Sequence, residues 1–458
     1  MHNHFELIVW PLSLSQVIHP SPYLLLVIQD VAIVLAEGVA LLWASDISVS
    51  RAPDGGIPRW VGVCVVLLLL LLNPWIYQTA LSDFHPETIA TLFTVLAARD
   101  LYNQRMRRAS IWMILLLMCG DVGGLYAIGL GIGLVLARPT AWKVATVWIS
   151  IGIAWVGFIS YAGFNAGSHL SGYQYLAGKT TAAAAASITL SDIVEQTLLH
   201  PERLWHLVVQ RWSTILKNIV PTGIVGIFSR WVIGLFLIVV LTSIGQEYNG
   251  FIQPGFQNFV LYVMLPVGTL LVLDTAIRKL SAMRSETGAR HPTAGFSTAS
   301  ARMWLGAIAA VALCAFCMVF ALGRMAGVFD GVPDTQEGTR ATLTGVLQQT
   351  PSRAEVVGTS GIIGRFAARP STYVLSQPVP GSSVPIRQRQ VTFVFVPALA
   401  YGESASAISS EELFVKDKLH AKTLATQQGV WAFLWTVPPN VTSLTWWPKP
   451  AVVTSSLG

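Results

Sequence analysis

The chain has 458 residues, 29 basic and 23 acidic, so only 11% are charged while 53% are hydrophobic. An ordinary soluble domain is about 25% charged, and a mean hydropathy of +0.58 leaves too few charges to cover so much apolar surface. These figures exclude a cytosolic globular enzyme, a disordered chain and a disulfide scaffold. They point to one polytopic membrane domain, 1–324, followed by a soluble domain, 325–458.

The formal net charge of +6 is not a nucleic-acid signature. Its basic residues sit in short loops between apolar runs, the pattern that orients a membrane protein. Met1–Ser21 lacks the basic and apolar regions of a signal peptide. Crossing a bilayer takes about 20 apolar residues. Residues 22–44, 60–77, 144–164, 256–277 and 303–322 satisfy this, and 84–98 is shorter but apolar. Asp30 and Glu37 lie in the first span, seven residues apart and so on roughly one helical face. Acids inside a membrane are either functional or paired with a polar group of another helix.

The next feature is Ser82-Asp83-Phe84-His85-Pro86-Glu87, an acid, an imidazole and a second acid at the mouth of a helix. Pro86 suits a first helical turn, and Glu87 there complements the helix dipole. The segment reads equally as a helix cap and as an acid–base cluster.

Residues 111–137 would form a helix about 40 Å long, against a hydrocarbon core of about 30 Å. Gly120, Asp121, Gly123 and Gly124 interrupt its middle. Arg99, Arg105, Arg107 and Arg108 place the preceding loop in the cytoplasm, and a hairpin at Gly120–Gly124 keeps Arg138 and Lys143 there too. The same argument splits residues 216–242 into two short segments turning near Arg230. Ten segments result, with both termini and the C-terminal domain outside.

An outer segment, about 190–217, carries Asp192 and Glu195 in a capping pattern, then an amphipathic helix. Leu204, Val208, Trp212 and Ile215 form its apolar stripe; Arg203, His206, Gln210 and Lys217 fall on the other side. Such a helix suits the membrane interface, where Arg203, Arg211 and Lys217 are either lipid-phosphate ligands or plain anchors. The four cysteines lie in apolar runs, and Cys314-x-x-Cys317 lacks the second pair that a metal site needs.

Past Arg324 the apolar runs shorten. Residues 337–349 read as a helix, and 354–357, 372–375, 391–396 and 430–437 as strands of a small α/β domain. Gly358-x-x-Gly361-x-x-Gly364 follows a strand but is not a dinucleotide-binding pattern, and no acid stands about 20 residues on.

The stretches SDFHPETIATLFTVLAARDLYNQRMRR and ILLLMCGDVGGLYAIGLGIGLVLA resemble a bacterial family of membrane proteins of unknown function. That family shares the Asp-Phe-His-Pro-Glu helix start and a turn between two apolar helices. NHFELIVWPLSLSQVIHPSPYLLLVIQD and FQNFVLYVMLPVGTLLVLDTAIRKL are similar to its other segments, so the likeness covers about 2–280. The family in turn distantly resembles, by helix pattern, the GT-C membrane glycosyltransferases. That resemblance implies a GT-C-like, mainly α fold in the bacterial cytoplasmic membrane and a polyprenyl-phosphate-linked sugar as donor. It implies a cavity lined by Asp83, His85, Glu87 and Asp121, with basic groups near the interface on the carrier phosphate. The family pattern has a first helix and its outer acid before the position of Met1, so either the start lies further upstream or this is a reduced, inactive member; Glu6, His2 and His4 are the acid–base groups left there. No other cofactor is evident, and the expected partners are membrane lipids. The competing expectations are a non-catalytic envelope-assembly subunit and a transporter using Asp30 and Glu37 as a proton relay.

Overall fold

The structure is a computed structural model. It describes residues 7–18, 22–49, 57–81, 84–162, 170–179, 188–245, 258–288, 312, 315–325, 336–366, 369, 371–374, 383–399, 405–445 and 451–454. The chain divides into two compact units: Met1–Ser13 with Val27–Gly331, and Leu14–Leu26 with Val332–Gly458.

The chain ahead of Val332 is helical where described: α1 Val9–Ile18, α2 Pro22–Val49, α3 Arg59–Leu71, α4 Pro74–Ala80, α5 Pro86–Tyr102, α6 Met106–Leu117, α7 Asp121–Ala137 and α8 Trp142–Tyr161. It continues with α9 Leu190–Leu199, α10 Pro201–Ile219, α11 Ile233–Gly245, α12 Phe259–Gly288 and the short α13, Ala315–Met325. Several of these helices begin at proline, whose fixed φ and missing N–H suit a first helical position. Among the described residues three helical stretches are long and apolar enough to cross a membrane: Tyr23–Ser48, Pro139–Tyr161 and Phe259–Lys279. The expected ten segments therefore depend on shorter helices and on the span 303–322, most of whose first half lies outside the described residues.

The expected continuous span 60–77 is instead two helices, α3 and α4, bent by 56°. Pro74 cannot continue the hydrogen-bond ladder, and Asn73 caps α4 by accepting the Trp75 N–H at 3.0 Å. The break in 111–137 falls at Met118–Gly120, where Gly120 takes a positive φ of 91°. The reading of 216–242 needs a correction. Its first half is the last turn of α10 followed by 3-10 turns, Val220–Thr222 and Ile224–Phe228; only α11 is a helix of its own. Pro221 and Gly223, at φ 94°, end the α-helical path.

Hydrogen bonds assign these helices to two ends of a bundle. Arg138, just after α7, donates to the Tyr102 carbonyl at 2.6 Å at the end of α5, and lies 5.7 Å over Trp231 ahead of α11. The ends of α5 and α7 and the start of α11 thus gather together. Asp46 of α2 accepts from Arg99 at 2.7 Å and Asn103 at 2.9 Å at this same end. Asp100, 3% exposed, accepts from Trp112 Nε1 at 2.9 Å and faces Arg108 at 3.4 Å. Asp274 is held by Arg278 at 2.8 and 3.1 Å and by the Ile57 N–H at 3.3 Å, ahead of α3.

The starts of α5 and α7 lie a helix length away, about 25 Å. There the Ile8 N–H reaches the Met118 carbonyl at 2.9 Å, and Trp155 Nε1 reaches the Gly120 carbonyl at 3.1 Å. Tyr173 closes the end of α11 by donating to the Thr242 carbonyl at 2.9 Å. Between the ends, α7 and α11 meet on glycine: a Cβ on Gly234 would sit 2.2 Å from the Gly129 carbonyl. Small residues permit such close approach where lipid leaves no hydrophobic drive between helices.

The main segment of the second unit, Val332–Gly458, carries α14, Glu337–Gln349. Its strands are β1 Glu355–Gly358, β2 Thr372–Val374, β3 Ser383–Pro385, β4 Gln390–Phe395, β5 Lys422–Gln427, β6 Val430–Thr436, β7 Val441–Thr445 and β8 Ala451–Thr454, with α15, Ala405–Leu413, after β4. One sheet has the order β2-β1-β4-β6-β5, parallel from β2 to β4 and antiparallel beyond; the other is β3-β7-β8. Strand alternation sends Val357, Val391, Phe393 and Phe395 to one core, and Val356, Val394 and Val396 to another with Leu343 and Val346 of α14.

Candidate functional site

The candidate site is the end of the bundle where α5 and α7 begin. His85 precedes α5 with φ −133°, and Glu87 stands in its first turn. Asp121 opens α7 beside it. Because α5 and α7 run parallel, the two carboxylates occupy neighbouring helix N-termini, where the backbone dipoles favour negative charge. Glu87 is 7% exposed, and its Oε2 lies 3.9 Å from His85 Nδ1. Tyr126, one turn into α7 and 2% exposed, is within electrostatic reach of Glu87, Asp121, Cys119 and Tyr262. One acidic neighbourhood thus gathers side chains from α5, α7 and α12.

Gln29 sets the position of His85. It is fully buried on α2; its Oε1 accepts the His85 N–H at 2.7 Å, and its Nε2 donates to the Thr79 carbonyl of α4 at 3.4 Å. One amide therefore joins α2 to the end of α4 and the start of α5. The His85 carbonyl also receives the Thr88 hydroxyl at 2.7 Å. In the sequence Gln29 is less conspicuous than its acidic neighbour Asp30. Asp30 is exposed and Glu37 half-buried, whereas Gln29, Ile33, Ala36, Ala40 and Trp43 form the buried face. The spacing of Asp30 and Glu37 puts both acids on one side of α2, but on the flank of that buried face. Asp83 lies outside the described residues.

Deeper in, Tyr262 donates to Asn218 Oδ1 at 3.4 Å, and Ser243 to Asn258 Oδ1 at 3.0 Å. These four side chains line a cavity of about 10 Å³ between α10, α11 and α12, which holds about one water molecule. Tyr126, Tyr262, Asn218 and Asn258 are equally inconspicuous in the sequence. A lone polar residue within an apolar run does not reveal which helices it will meet.

The three cations of α10 have different surroundings. Arg211 is 8% exposed and donates to the Ile244 carbonyl at 2.5 Å, where it meets the negative end of the α11 dipole. Arg203 reaches the Leu176 carbonyl and Gln196 Oε1, each at 3.4 Å. Lys217 is exposed. Ahead of them, the Asp192 carboxyl is held down to about 2, first by the Thr189 N–H and then by Lys179. Among the described residues no three His, Cys, Asp or Glu side chains converge as metal ligands.

A family model described as "Predicted membrane protein (DUF2079)" matches residues 1–329. The chain belongs to that family. No curated protein and no solved structure matches it. The DUF2079 match takes in every candidate site residue and stops just short of Val332, where the second unit's main segment starts. The α5 start, the α7 start and the α10 cations are therefore all parts of the DUF2079 membrane region.

Proposed function

We propose that this DUF2079 protein is a GT-C-like membrane protein of the bacterial cytoplasmic membrane, with the acid–histidine end and the C-terminal unit outside. In this reading it transfers a sugar from a polyprenyl-phosphate carrier to a cell-envelope acceptor. The observation that carries it is the pairing of Glu87 and Asp121 at adjacent helix N-termini, with His85 beside Glu87, at the end opposite the arginines. A carboxylate there accepts the proton of an acceptor hydroxyl as the hydroxyl oxygen attacks the anomeric carbon. The carrier phosphate leaves with the bonding electrons, stabilised by a cation at the interface. Asp83 belongs to the same acidic group by sequence. Lys217 is the α10 cation best placed for the phosphate, with Arg203 and Arg211 shaping the helix behind it.

The test uses the full chain in lipid nanodiscs with a radiolabelled polyprenyl-phosphate sugar. Wild type is expected to release the carrier phosphate in the presence of envelope extract. His85→Ala and Glu87→Gln should lower that rate by a factor of about 100 or more at unchanged folded yield. Full activity in both variants would end this assignment.

A second reading, a non-catalytic subunit of envelope assembly, is favoured by the cavity. Its lining comes from α10, α11 and α12 and includes none of His85, Glu87 and Asp121. Failure of wild type to bind the carrier at all would select it.

A further inference from the structure

The apolar stripe that the sequence assigns to the membrane is largely consumed inside the protein. Leu204, Val208 and Ile215 of α10 pack with Leu207 against Leu176, Val240 and Ile244. Buried Leu207, Arg211 and Asn218 lie on the same inward side. A different edge remains open. Trp205, Val209 and Trp212 are 67%, 53% and 58% exposed, at the 4-and-3 spacing of one helical face. A third sector, Glu202, His206, Gln210, Ser213 and Lys217, is exposed and polar from the first turn to the last. At 100° per residue it is centred roughly 100° around the helix from the tryptophan edge.

We infer that α10 lies along the membrane–water boundary, with the Trp205–Val209–Trp212 edge in lipid and the Glu202–Lys217 edge in water. The three sectors demand three surroundings. The inward sector has protein. A helix crossing the bilayer would drive the polar edge through hydrocarbon along its whole length. A helix standing in water would leave two large indoles wet. Only an in-plane helix gives each sector its own medium, and indoles favour the interface because one end is apolar and the other donates a hydrogen bond. The preceding helix also exposes large apolar side chains: Val194, Leu198 and Leu199 of α9 are 51%, 76% and 62% exposed. The partner is the lipid surface itself, so the inference is independent of any sugar transfer.

The inference also reassigns the cations. Arg211 is turned inward onto the Ile244 carbonyl, and Arg203 onto Leu176 and Gln196. Lys217, in the last turn, stands in the water-facing sector, at headgroup height for an in-plane helix.

The test is site-directed spin labelling of the full chain, freed of its native cysteines, in nanodiscs of phosphatidylethanolamine and phosphatidylglycerol. Single cysteines replace Trp205, Val209, Gln210, Trp212 and Ser213, each checked for monodisperse elution. Labels at 205, 209 and 212 should be accessible to oxygen and shielded from a water-soluble nickel chelate, at equal depths of about 5–10 Å. Labels at 210 and 213 should show the reverse. A depth that changes steadily from 205 to 213 would mean a spanning helix and overturn the inference. Nickel access at all five positions would mean a helix in water, with the same consequence. Val209, Gln210 and Ser213 are all exposed, so the contrast between 209 and the other two distinguishes these cases even if a tryptophan variant fails to fold.

Discussion

At one end of the bundle Asp46 and Asp274 are each bonded to an arginine, and Asp100 sits under Arg108 and the Trp112 indole. At the other end Glu87 meets a histidine at 3.9 Å, and Asp121 opens a helix. A buried carboxylate facing a guanidinium forms a permanent ion pair with directional bonds, and it fixes the helices it joins. One facing an imidazole at 3.9 Å beside two helix N-termini is adjustable, because that contact is too long for a directional hydrogen bond. The arginine end also holds an aromatic cluster, Trp43, Tyr102 and Trp231, with centroids 5.7–6.5 Å apart. One end reads as an anchor. The other joins its acid and imidazole by a longer contact.

The sharpest way to break this comparison is Asp274→Ala. Asp274 is fully buried, and its loss strands the largely buried Arg278 and the Ile57 N–H. Removing one partner of a buried pair costs about 3–5 kcal/mol. Thermal unfolding in detergent should therefore show a large loss of stability, while Glu87→Gln changes it by about 1 kcal/mol or less. Equal losses from both substitutions would erase the distinction between the ends.

Gln29→Leu sharpens the same comparison on the adjustable side. It keeps the volume but removes the acceptor of the His85 N–H and the donor to Thr79. A buried N–H left unpaired costs about 1–3 kcal/mol, and the start of α5 should loosen locally. Hydrogen exchange over Pro86–Tyr102 is expected to rise at its first turn and not at its last. Uniform exchange along α5 would mean that Gln29 stabilises the whole bundle and positions nothing in particular.

What the sequence reveals follows from how local each signal is. The start of α5 is legible because Pro86 and Glu87 mark a first turn by themselves, and the break at Gly120 because glycines interrupt an apolar run. The helix 337–349 and four strands of the second unit are legible from periodicity. The edge strand β5 is not, because its pattern is largely exposed and polar, and β3 is too short to alternate. Gln29 is hidden for a different reason. α2 is apolar around most of its circumference, so no periodicity says which side is buried; only packing against the rest of the bundle does. The 3-10 path after α10 is hidden because residues 216–228 are apolar enough to pass for half of a spanning pair.

A third test asks whether adjustable acids are confined to the membrane unit. In the second unit, burial pushes the Glu411 carboxyl up to about 7 from its ordinary 4.5. The folded state then favours the protonated form. The stabilisation is complete below about 4.5 and is lost as pH rises through about 7. Glu411→Gln should flatten this dependence, which is on the order of 1–2 kcal/mol after allowance for partial exposure. Hydrogen exchange of β6 in the full chain, followed from pH 5 to 8, reads it. A wild-type profile as flat as the variant's would remove Glu411 from the set of adjustable acids.

The smallest expected effect concerns Asp192, an exposed acid with fixed partners, which separates adjustability from burial. Its carboxylate accepts the Thr189 N–H at 2.8 Å, the Thr189 hydroxyl at 2.8 Å and Lys179 Nζ at 3.0 Å. Those donors favour the ionised form and hold the carboxyl at about 2, below its ordinary 3.8. The sign is opposite to that of Glu411: the stabilisation is present above about 3.8 and is lost as pH falls through about 2. Because the site is exposed, salt screens it, and the effect is confined to the first turn of α9. Pepsin cleavage between Leu190 and Leu199 should therefore accelerate in wild type only toward the acid end of that window. In Asp192→Asn, cleavage should already be fast at about pH 4, because the neutral amide loses both the charge-assisted cap and the Lys179 pair. Identical cleavage profiles would show that the Thr189–Asp192 box merely decorates a helix start already fixed by packing.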